Sequence, residues 1–171
     1  DGRSVNLDAL EQMLRAVSEM YGKEELYFGS FPSEVRPEQV SADTLELLKR
    51  YCANTNLVIG AQSGSDRMLH ALHRGHGVDV IVRAVELTLK AGFRPNVDFI
   101  FGLPAETAQD RHATLTLINR LTRMGARVHS HAFMPLVGTP LADCLPGVLD
   151  EEIRELMLNL RGKNLEHGRW Q

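Results

Sequence analysis

The apolar residues of this chain recur at helical spacing in some segments and in short continuous runs in others, and the two patterns alternate. Leu7, Leu10 and Leu14 would share one face of a helix, which predicts an amphipathic helix over residues 7–20. The same spacing, with helix-starting and helix-ending residues at the boundaries, predicts further helices over residues 42–53, 66–72, 80–89, 107–124 and 151–160.

Four short apolar runs predict strands at residues 26–31, 57–62, 97–101 and 128–134. Because helical segments separate these runs, we predict an α/β fold with right-handed crossovers and a parallel sheet. We expect a single domain over residues 1–171 with about four βα units. These units would form either a small open sheet or part of a barrel.

Small and polar residues follow two of the predicted strands. Residues 60–65, GAQSGS, end the apolar run at 57–59, and residues 102–107, GLPAET, end the run at 97–101. Ligands of parallel α/β sheets bind where the strands end, at their carboxyl edge. The sequence therefore places a candidate binding site at these two junctions.

Composition narrows the function classes. The 171 residues carry a formal net charge of −3 and are 43% hydrophobic, which is typical of a globular protein and does not favour a nucleic-acid surface. No apolar stretch reaches the length of a membrane span, and no signal peptide is visible. Cys52 and Cys144 form no CxxC pattern, so a reducing cytoplasm is the expected location.

Three polar residues in or directly after the predicted strands are candidates for ligand contacts. The amide of Gln62 can bind ribose hydroxyl groups, although satisfying loop backbone groups is the stronger alternative. Ser63 lies in a tight turn that also suits capping of the next helix. Asp98 interrupts an apolar strand and needs a cation or a hydroxyl donor as partner, but periodicity does not fix its face.

Two opposite charges, Glu34 and Arg74, follow predicted elements at the same edge of the sheet. Together they match the charges of a zwitterion, while each alone is typical of an exposed surface residue. Glu106 begins a helix, where the helix dipole favours a carboxylate without any ligand. Gly102 either lets the backbone approach a planar group or simply forms the turn.

We predict no metal site from the histidines. His70, His73 and His76 are spaced by three, but no carboxylate or thiolate completes a recognised metal-binding pattern. His129 and His131 share one face of the fourth predicted strand and would line a cavity if that strand belongs to a barrel. A solvated or hydrogen-bonded pair is the favoured interpretation.

Three segments, taken in order, resemble the radical S-adenosylmethionine (SAM) superfamily, especially its branch of methylthiotransferases and cobalamin-binding enzymes. They are QSGSD at 62–66 followed by Arg74, DFIFGLPAET at 98–107, and PLVGTP at 135–140. The resemblance implies a partial TIM-like barrel of six βα units, in which the predicted strands are the third to the sixth.

The resemblance also implies roles for individual residues. Gln62 and Asp98 would contact the ribose hydroxyl groups of SAM, and Arg74 and Glu34 would bind the carboxylate and ammonium groups of its methionyl end. The backbone around residues 100–102 would lie near the adenine. The implied cofactor-binding residues are Glu34, Gln62, Ser63, Arg74, Asp98, Ile100 and Gly102.

The sequence departs from the family pattern at the iron–sulfur cofactor. The family holds a [4Fe–4S] cluster with three cysteines of a CxxxCxxC-type loop, and the cluster cleaves SAM to a 5′-deoxyadenosyl radical. This chain has two cysteines and no such loop. We therefore expect it to be the C-terminal portion of a longer enzyme and inactive alone. SAM, the cluster and, as a further candidate, cobalamin would act in the parent protein.

Two other interpretations stay open. The missing loop is the basis for a non-catalytic α/β module that binds a nucleotide or a protein partner, and the histidines leave a metal enzyme as a third reading. A truncated barrel also leaves one sheet edge unpaired. We therefore expect self-association through the predicted strand at 26–31. Neither the substrate nor a membrane partner is indicated.

Overall fold

Four parallel strands form one sheet, and their order in the sheet is their order along the chain. In this computed structural model, which describes residues 4–169, they are β1 (Asn56–Gln62), β2 (Arg94–Phe101), β3 (Arg127–Ala132) and β4 (Glu166–Arg169). Each neighbouring pair is parallel, so every connection crosses over the sheet. The predicted α/β class and parallel sheet are confirmed.

Six α-helices lie within residues 4–169, and their ends fall within a few residues of the predicted ends. Three of the helices begin after a capping residue whose side chain accepts a hydrogen bond from the backbone N–H three residues later. These capping residues are Ser41, Thr107 and Asp150. None of these helices combines the length and the apolar character needed to cross a membrane. The helices are α1 (Leu7–Tyr21), α2 (Ala42–Tyr51), α3 (Asp66–Ala71), α4 (Val78–Lys90), α5 (Ala108–Met124) and α6 (Glu151–Gly162).

The two faces of the sheet differ because side chains alternate along each strand. On one face Ile59, Phe99 and Val128 are fully buried and share a core with helix residues such as Ile81 and Ile118. The opposite face, here called the polar face, lies on the other side of the same strands. Its side chains on β2 and β3 are Asn96, Asp98, Ile100, His129 and His131.

The predicted strand at residues 26–31 is wrong. Its backbone does not form a regular ladder. Gly29 O accepts a hydrogen bond from Val58 N (2.8 Å), but the Asn54 side chain accepts one from Phe28 N (3.1 Å) and donates one to Phe28 O (2.9 Å). An isolated bridge between Val35 and Ile59 is what extends the sheet beyond β1. The predicted self-association was based on a strand edge that the structure does not contain.

Strand β4 is an element that the sequence pattern does not indicate, because residues 166–169 lack the β-branched and aromatic residues typical of strands. Long-range contacts hold it instead. Glu166 is buried, accepts a hydrogen bond from Ser130 and accepts another from Arg161 Nε at 2.8 Å. Gly168 lies so close to the backbone of Ser130 that a side chain would not fit.

Candidate functional site

The end of β1 brings three of the predicted site residues together. Gln62 is buried and has a φ of 67°, a left-handed conformation that is costly for a residue other than glycine. Its side-chain Nε2 donates to both carboxylate oxygens of Glu34, each at 2.9 Å. Arg74 Nη2 lies 3.6 Å from Glu34 Oε1. The opposite charges that the sequence suggested as a pair are therefore neighbours in space.

Arg74 is held in place by the strand itself. Its Nη2 donates to the carbonyl oxygen of Gly60 at 3.0 Å, and its side chain is about three-quarters buried. The Nε atom of Arg74 is buried without a hydrogen-bond partner among the residues the structure describes. An unpaired buried guanidinium donor is costly, so this geometry favours an acceptor from a ligand.

Gly60 makes room for this arrangement. A Cβ atom built on Gly60 would overlap the carboxyl group of Glu34 and lie 2.6 Å from its Oε2 atom. Because no other residue type lacks a Cβ, the Glu34 carboxylate can lie over β1 only when position 60 is glycine. The glycine in the first junction therefore allows the Glu34 carboxylate to lie on the polar face.

Asp98 lies on the polar face beside two histidines, which answers the question that periodicity left open. Its Oδ1 atom is 3.3 Å from His129 Nδ1, and its Oδ2 atom is 3.6 Å from His131 Nε2. Burial raises the pKa of Asp98 to about 7; His131 lowers that pKa, and the nearby Glu34 carboxylate raises it. Asp98 thus lies between Glu34 and the two histidines.

A third histidine, His167 on β4, joins this group and was missed from the sequence. Its ring stacks on the ring of His129 with centroids 4.9 Å apart and an interplanar angle of 16°. Burial lowers the pKa of both His129 and His167. No local pattern could have indicated His167, because the strand that carries it was itself not predictable.

The second junction, residues 102–107, contacts the loop that follows β3. Ile100 is half-buried on the polar face, two residues after Asp98. Gly102 has a φ of 72°, which suits glycine, and its carbonyl oxygen accepts a hydrogen bond from Gly147 N at 2.8 Å. The loop after β3 therefore lies against the turn that the family resemblance places near the adenine.

Glu106 is not the helix cap in this junction. Thr107 caps α5 and forms a capping box with Asp110. Both carboxylate oxygens of Glu106 are buried and have no hydrogen-bond partner among the described residues. Burial raises the pKa of Glu106 to about 7, while Arg111 lowers it and Asp110 raises it.

Glu106 therefore makes stability depend on pH. Between its ordinary pKa of 4.5 and about 7, the folded chain binds more protons than the unfolded chain, so the free energy of unfolding falls as pH rises. Glu106→Gln should raise the free energy of unfolding by about 2 kcal/mol near pH 8 and by much less near pH 5. Urea denaturation at both pH values measures this. Glu155→Gln, which removes an exposed carboxylate from α6, is the control. An equal effect of Glu106→Gln at both pH values would contradict the assignment.

Ser63, another predicted site residue, contacts the scaffold. Ser63 is fully buried, and its Oγ lies 3.3 Å from Thr114 Oγ1 on α5 and accepts a hydrogen bond from Ser65 N. Its contacts are thus with the scaffold. Ser65 caps α3, as the turn suggested. Among the described residues, His70, His73 and His76 are not part of any group with metal-binding geometry.

The two cofactors suggested by the sequence fit this chain unequally. Buried acceptors and donors without partners, at Asp98 and Arg74, suit the hydroxyl groups and charged end of SAM. A [4Fe–4S] cluster needs three thiolates. Cys52 is buried at the end of α2, and Cys144 lies in the loop after β3. These cysteines do not fit a cluster.

Comparison with known proteins gives a family. The family model described as "Radical SAM superfamily" matches residues 1–118. An uncharacterized protein of Methanopyrus kandleri is 29% identical over 143 residues, which cover 83% of this chain and 26% of that protein. The tRNA-2-methylthio-N(6)-dimethylallyladenosine synthase of Paracoccus denitrificans is 36% identical over 168 residues, which cover 92% of this chain and 36% of that enzyme. The chain thus spans between about a quarter and about a third of the length of these relatives.

Solved structures share the fold. Coproporphyrinogen III oxidase from Escherichia coli, a radical SAM enzyme, superposes with a TM-score of 0.63 at 18% identity, covering 94% of this chain and 37% of that one. A radical SAM methyltransferase from Kitasatospora setae, solved with cobalamin and a [4Fe–4S] cluster bound, gives 0.58 at 16% identity, covering 77% of this chain and 26% of that one. At these identities the likeness concerns the TIM-barrel-like fold alone. With a family model that matches most of its length and the fold of that family, this chain belongs to the radical SAM superfamily.

Proposed function

We propose that this chain forms the nucleoside-binding wall and part of the substrate cavity of an iron–sulfur enzyme that cleaves SAM. In this proposal residues 1–171 are the C-terminal portion of a six-unit partial barrel, and the cluster-binding cysteines belong to another part of the polypeptide. The greater length of the relatives supports this arrangement. The chain alone would bind the cofactor without cleaving it.

The Glu34–Gln62–Arg74 group is the observation that carries the proposal. It combines the anionic Glu34 with the cationic Arg74, whose buried Nε atom has no partner among the described residues. Gln62 adds a buried side-chain amide on a strained, left-handed backbone at the carboxyl end of a parallel strand. Strain of this kind is concentrated at ligand-binding sites. The amino-acid end of SAM carries a carboxylate and an ammonium group, which pair with Arg74 and Glu34 respectively.

The ribose would lie on the polar face between Gln62 and Asp98. Asp98 Oδ1 is a buried acceptor without a hydrogen-bond partner among the described residues, and a ribose hydroxyl is a matching donor. The adenine would lie near Ile100 and the turn at Gly102. In this proposal Ser63 supports the loop through Thr114 and does not contact the cofactor.

The remaining cofactors belong to the parent protein. SAM bound to a reduced [4Fe–4S] cluster would supply a 5′-deoxyadenosyl radical for hydrogen abstraction, and the residues of this chain would bind and orient SAM. Cobalamin is a further proposed cofactor of the parent protein, because the motifs of this chain resemble those of cobalamin-binding radical SAM enzymes. The unpaired cysteines support the expected cytoplasmic location.

Calorimetric titration of this chain with SAM and with 5′-methylthioadenosine tests the proposal, because the second ligand lacks the amino-acid end. Arg74→Gln should weaken SAM binding about 10- to 100-fold, the loss expected for a charged hydrogen bond, and leave binding of 5′-methylthioadenosine unchanged. Arg83→Gln, which removes an exposed arginine from α4, is the control.

Two results would contradict the proposal. If the chain binds neither ligand, or binds both with equal affinity, the wall has no site for the methionyl end. A protein that also contains the residues encoded upstream of Asp1, reconstituted with iron and sulfide and supplied with a one-electron reductant, should form 5′-deoxyadenosine from SAM. Failure to do so while SAM still binds would favour the alternative, a non-catalytic nucleotide-binding module.

A further inference from the structure

A second group of polar residues lies on the polar face beyond the Glu34 group. Asp98, His129 and His131, here called the histidine–aspartate cluster, each offer one ligand atom, and these atoms all lie within 4.8 Å of one another. We propose that the histidine–aspartate cluster binds one divalent transition-metal ion, through a carboxylate oxygen of Asp98 and one ring nitrogen of each histidine. This site is separate from the iron–sulfur cluster.

The sheet register creates the cluster. Asp98 on β2 pairs directly with His129 on β3, so their side chains project from the same face of adjacent strands. His131 follows two residues later and therefore shares that face. All three ligands are side chains on two hydrogen-bonded strands, which gives a more rigid metal site than loops would.

The distances suit a small metal ion. Zinc bonds to histidine nitrogen and carboxylate oxygen are about 2.0–2.1 Å long, so two ligand atoms of a tetrahedral site are about 3.4 Å apart. In the cluster, His129 Nδ1 is 3.3 Å from Asp98 Oδ1, and His131 Nε2 is 3.6 Å from Asp98 Oδ2. These two distances involve different oxygens of Asp98. With one carboxylate oxygen as the ligand, the three ligand atoms lie within 4.8 Å of one another, so a bound metal ion would bring them closer together by up to about 1.4 Å.

The hydrogen bonding of Asp98 is also incomplete in this structure. Asp98 is only 8% exposed, and its Oδ1 atom is buried with no hydrogen-bond partner among the described residues. Although His129 Nδ1 is 3.3 Å away, the pair does not form a hydrogen bond. A buried carboxylate oxygen without a partner is costly unless a cation or a hydroxyl donor satisfies it.

The ligand types favour certain metals. Two imidazoles and one carboxylate suit zinc, iron(II) or cobalt(II), whereas magnesium and calcium prefer oxygen ligands alone. Three protein ligands leave a coordination position for water or for a substrate oxygen, as in catalytic sites. His131, 39% exposed, lies on the accessible side of the cluster. Asp98 Oδ1 is also the acceptor proposed for the ribose, so a metal ion on that atom would leave only Oδ2 for the ribose hydroxyl group.

His167 acts as a positioning residue in this proposal. Its ring stacks on His129 at 4.9 Å, which fixes the plane of the His129 ring. Residues that orient a ligating histidine affect metal affinity even though they do not touch the metal.

Calorimetric titration of the chelator-treated chain with zinc tests the proposal without any need for catalysis. We expect one zinc ion per chain. Cobalt(II) at the same site should give the visible absorption of a four- or five-coordinate ion. Asp98→Asn and His131→Gln should each weaken zinc binding at least about tenfold, in the range reported for loss of metal-site residues.

The control is His112→Gln, which removes an exposed histidine of α5 outside the cluster and should leave zinc binding unchanged. Circular dichroism establishes that each variant is folded, and His131→Gln is the decisive variant because its side chain is partly exposed. No zinc binding by the unaltered chain, or equal zinc affinity in His131→Gln and His112→Gln, would overturn the proposal.

Discussion

Gly64→Ala is expected to lower the free energy of unfolding by about 3 kcal/mol, at the upper end of the cost of overpacking. A Cβ atom at position 64 would lie 2.5 Å from Thr114 Cα and 2.9 Å from the carbonyl oxygen of Ala113. Both are backbone atoms of α5, so the helix itself would have to move. The hydrogen bond from Gly64 N to Thr114 Oγ1, now 2.9 Å, would be stretched as well. Urea denaturation followed by circular dichroism measures the change.

The matched control for this variant is Gly162→Ala at the end of α6. A Cβ atom at Gly162 would meet no atom within 4 Å, so its effect should be within about 0.5 kcal/mol. If the two variants are equally stable, the close contact between the first junction and α5 does not support the fold.

Gly60→Ala should have the opposite profile, with a large effect on binding and a small effect on stability. The added methyl group would displace only the flexible end of Glu34, so we expect a loss of no more than about 1 kcal/mol in the free energy of unfolding. If Glu34 binds the ammonium group of SAM, its displacement should weaken SAM binding about 10- to 100-fold. Calorimetry and urea denaturation on the same preparation separate the two effects.

A double-mutant cycle identifies the cause of that loss. If Gly60→Ala acts by moving Glu34, then adding Glu34→Gln should weaken SAM binding no further. Additive losses would show that Gly60 and Glu34 act independently, and the argument that glycine makes room for the carboxylate would fail.

Local patterns predicted most of the fold. The helices were predictable because apolar spacing and capping residues such as Ser41 and Thr107 are both local, and the structure uses both. Strands β1 and β2 were predictable from apolar runs that small and polar residues follow, and β3 from a short segment that ends before Pro135. The pairing of Glu34 with Arg74 was suggested by opposite charges at one edge, and the structure brings these side chains together.

The failures involve contacts between distant residues. Residues 26–31 look like a strand, but the Asn54 side chain hydrogen-bonds to the backbone of Phe28, and no local pattern shows this. Strand β4 depends on the contact between Gly168 and Ser130 across the sheet. The histidine–aspartate cluster depends on the register of β2 against β3, which periodicity alone does not determine.

The carboxylate of Glu34 interacts with both groups on the polar face. It accepts two hydrogen bonds from Gln62, and it lies close enough to Asp98 to raise the pKa of that residue. Two ligands that share a charged group cannot bind independently, and the coupling is reciprocal. Whatever factor a metal ion on Asp98 applies to the affinity for a zwitterion beside Glu34, the zwitterion must apply to the affinity for the metal.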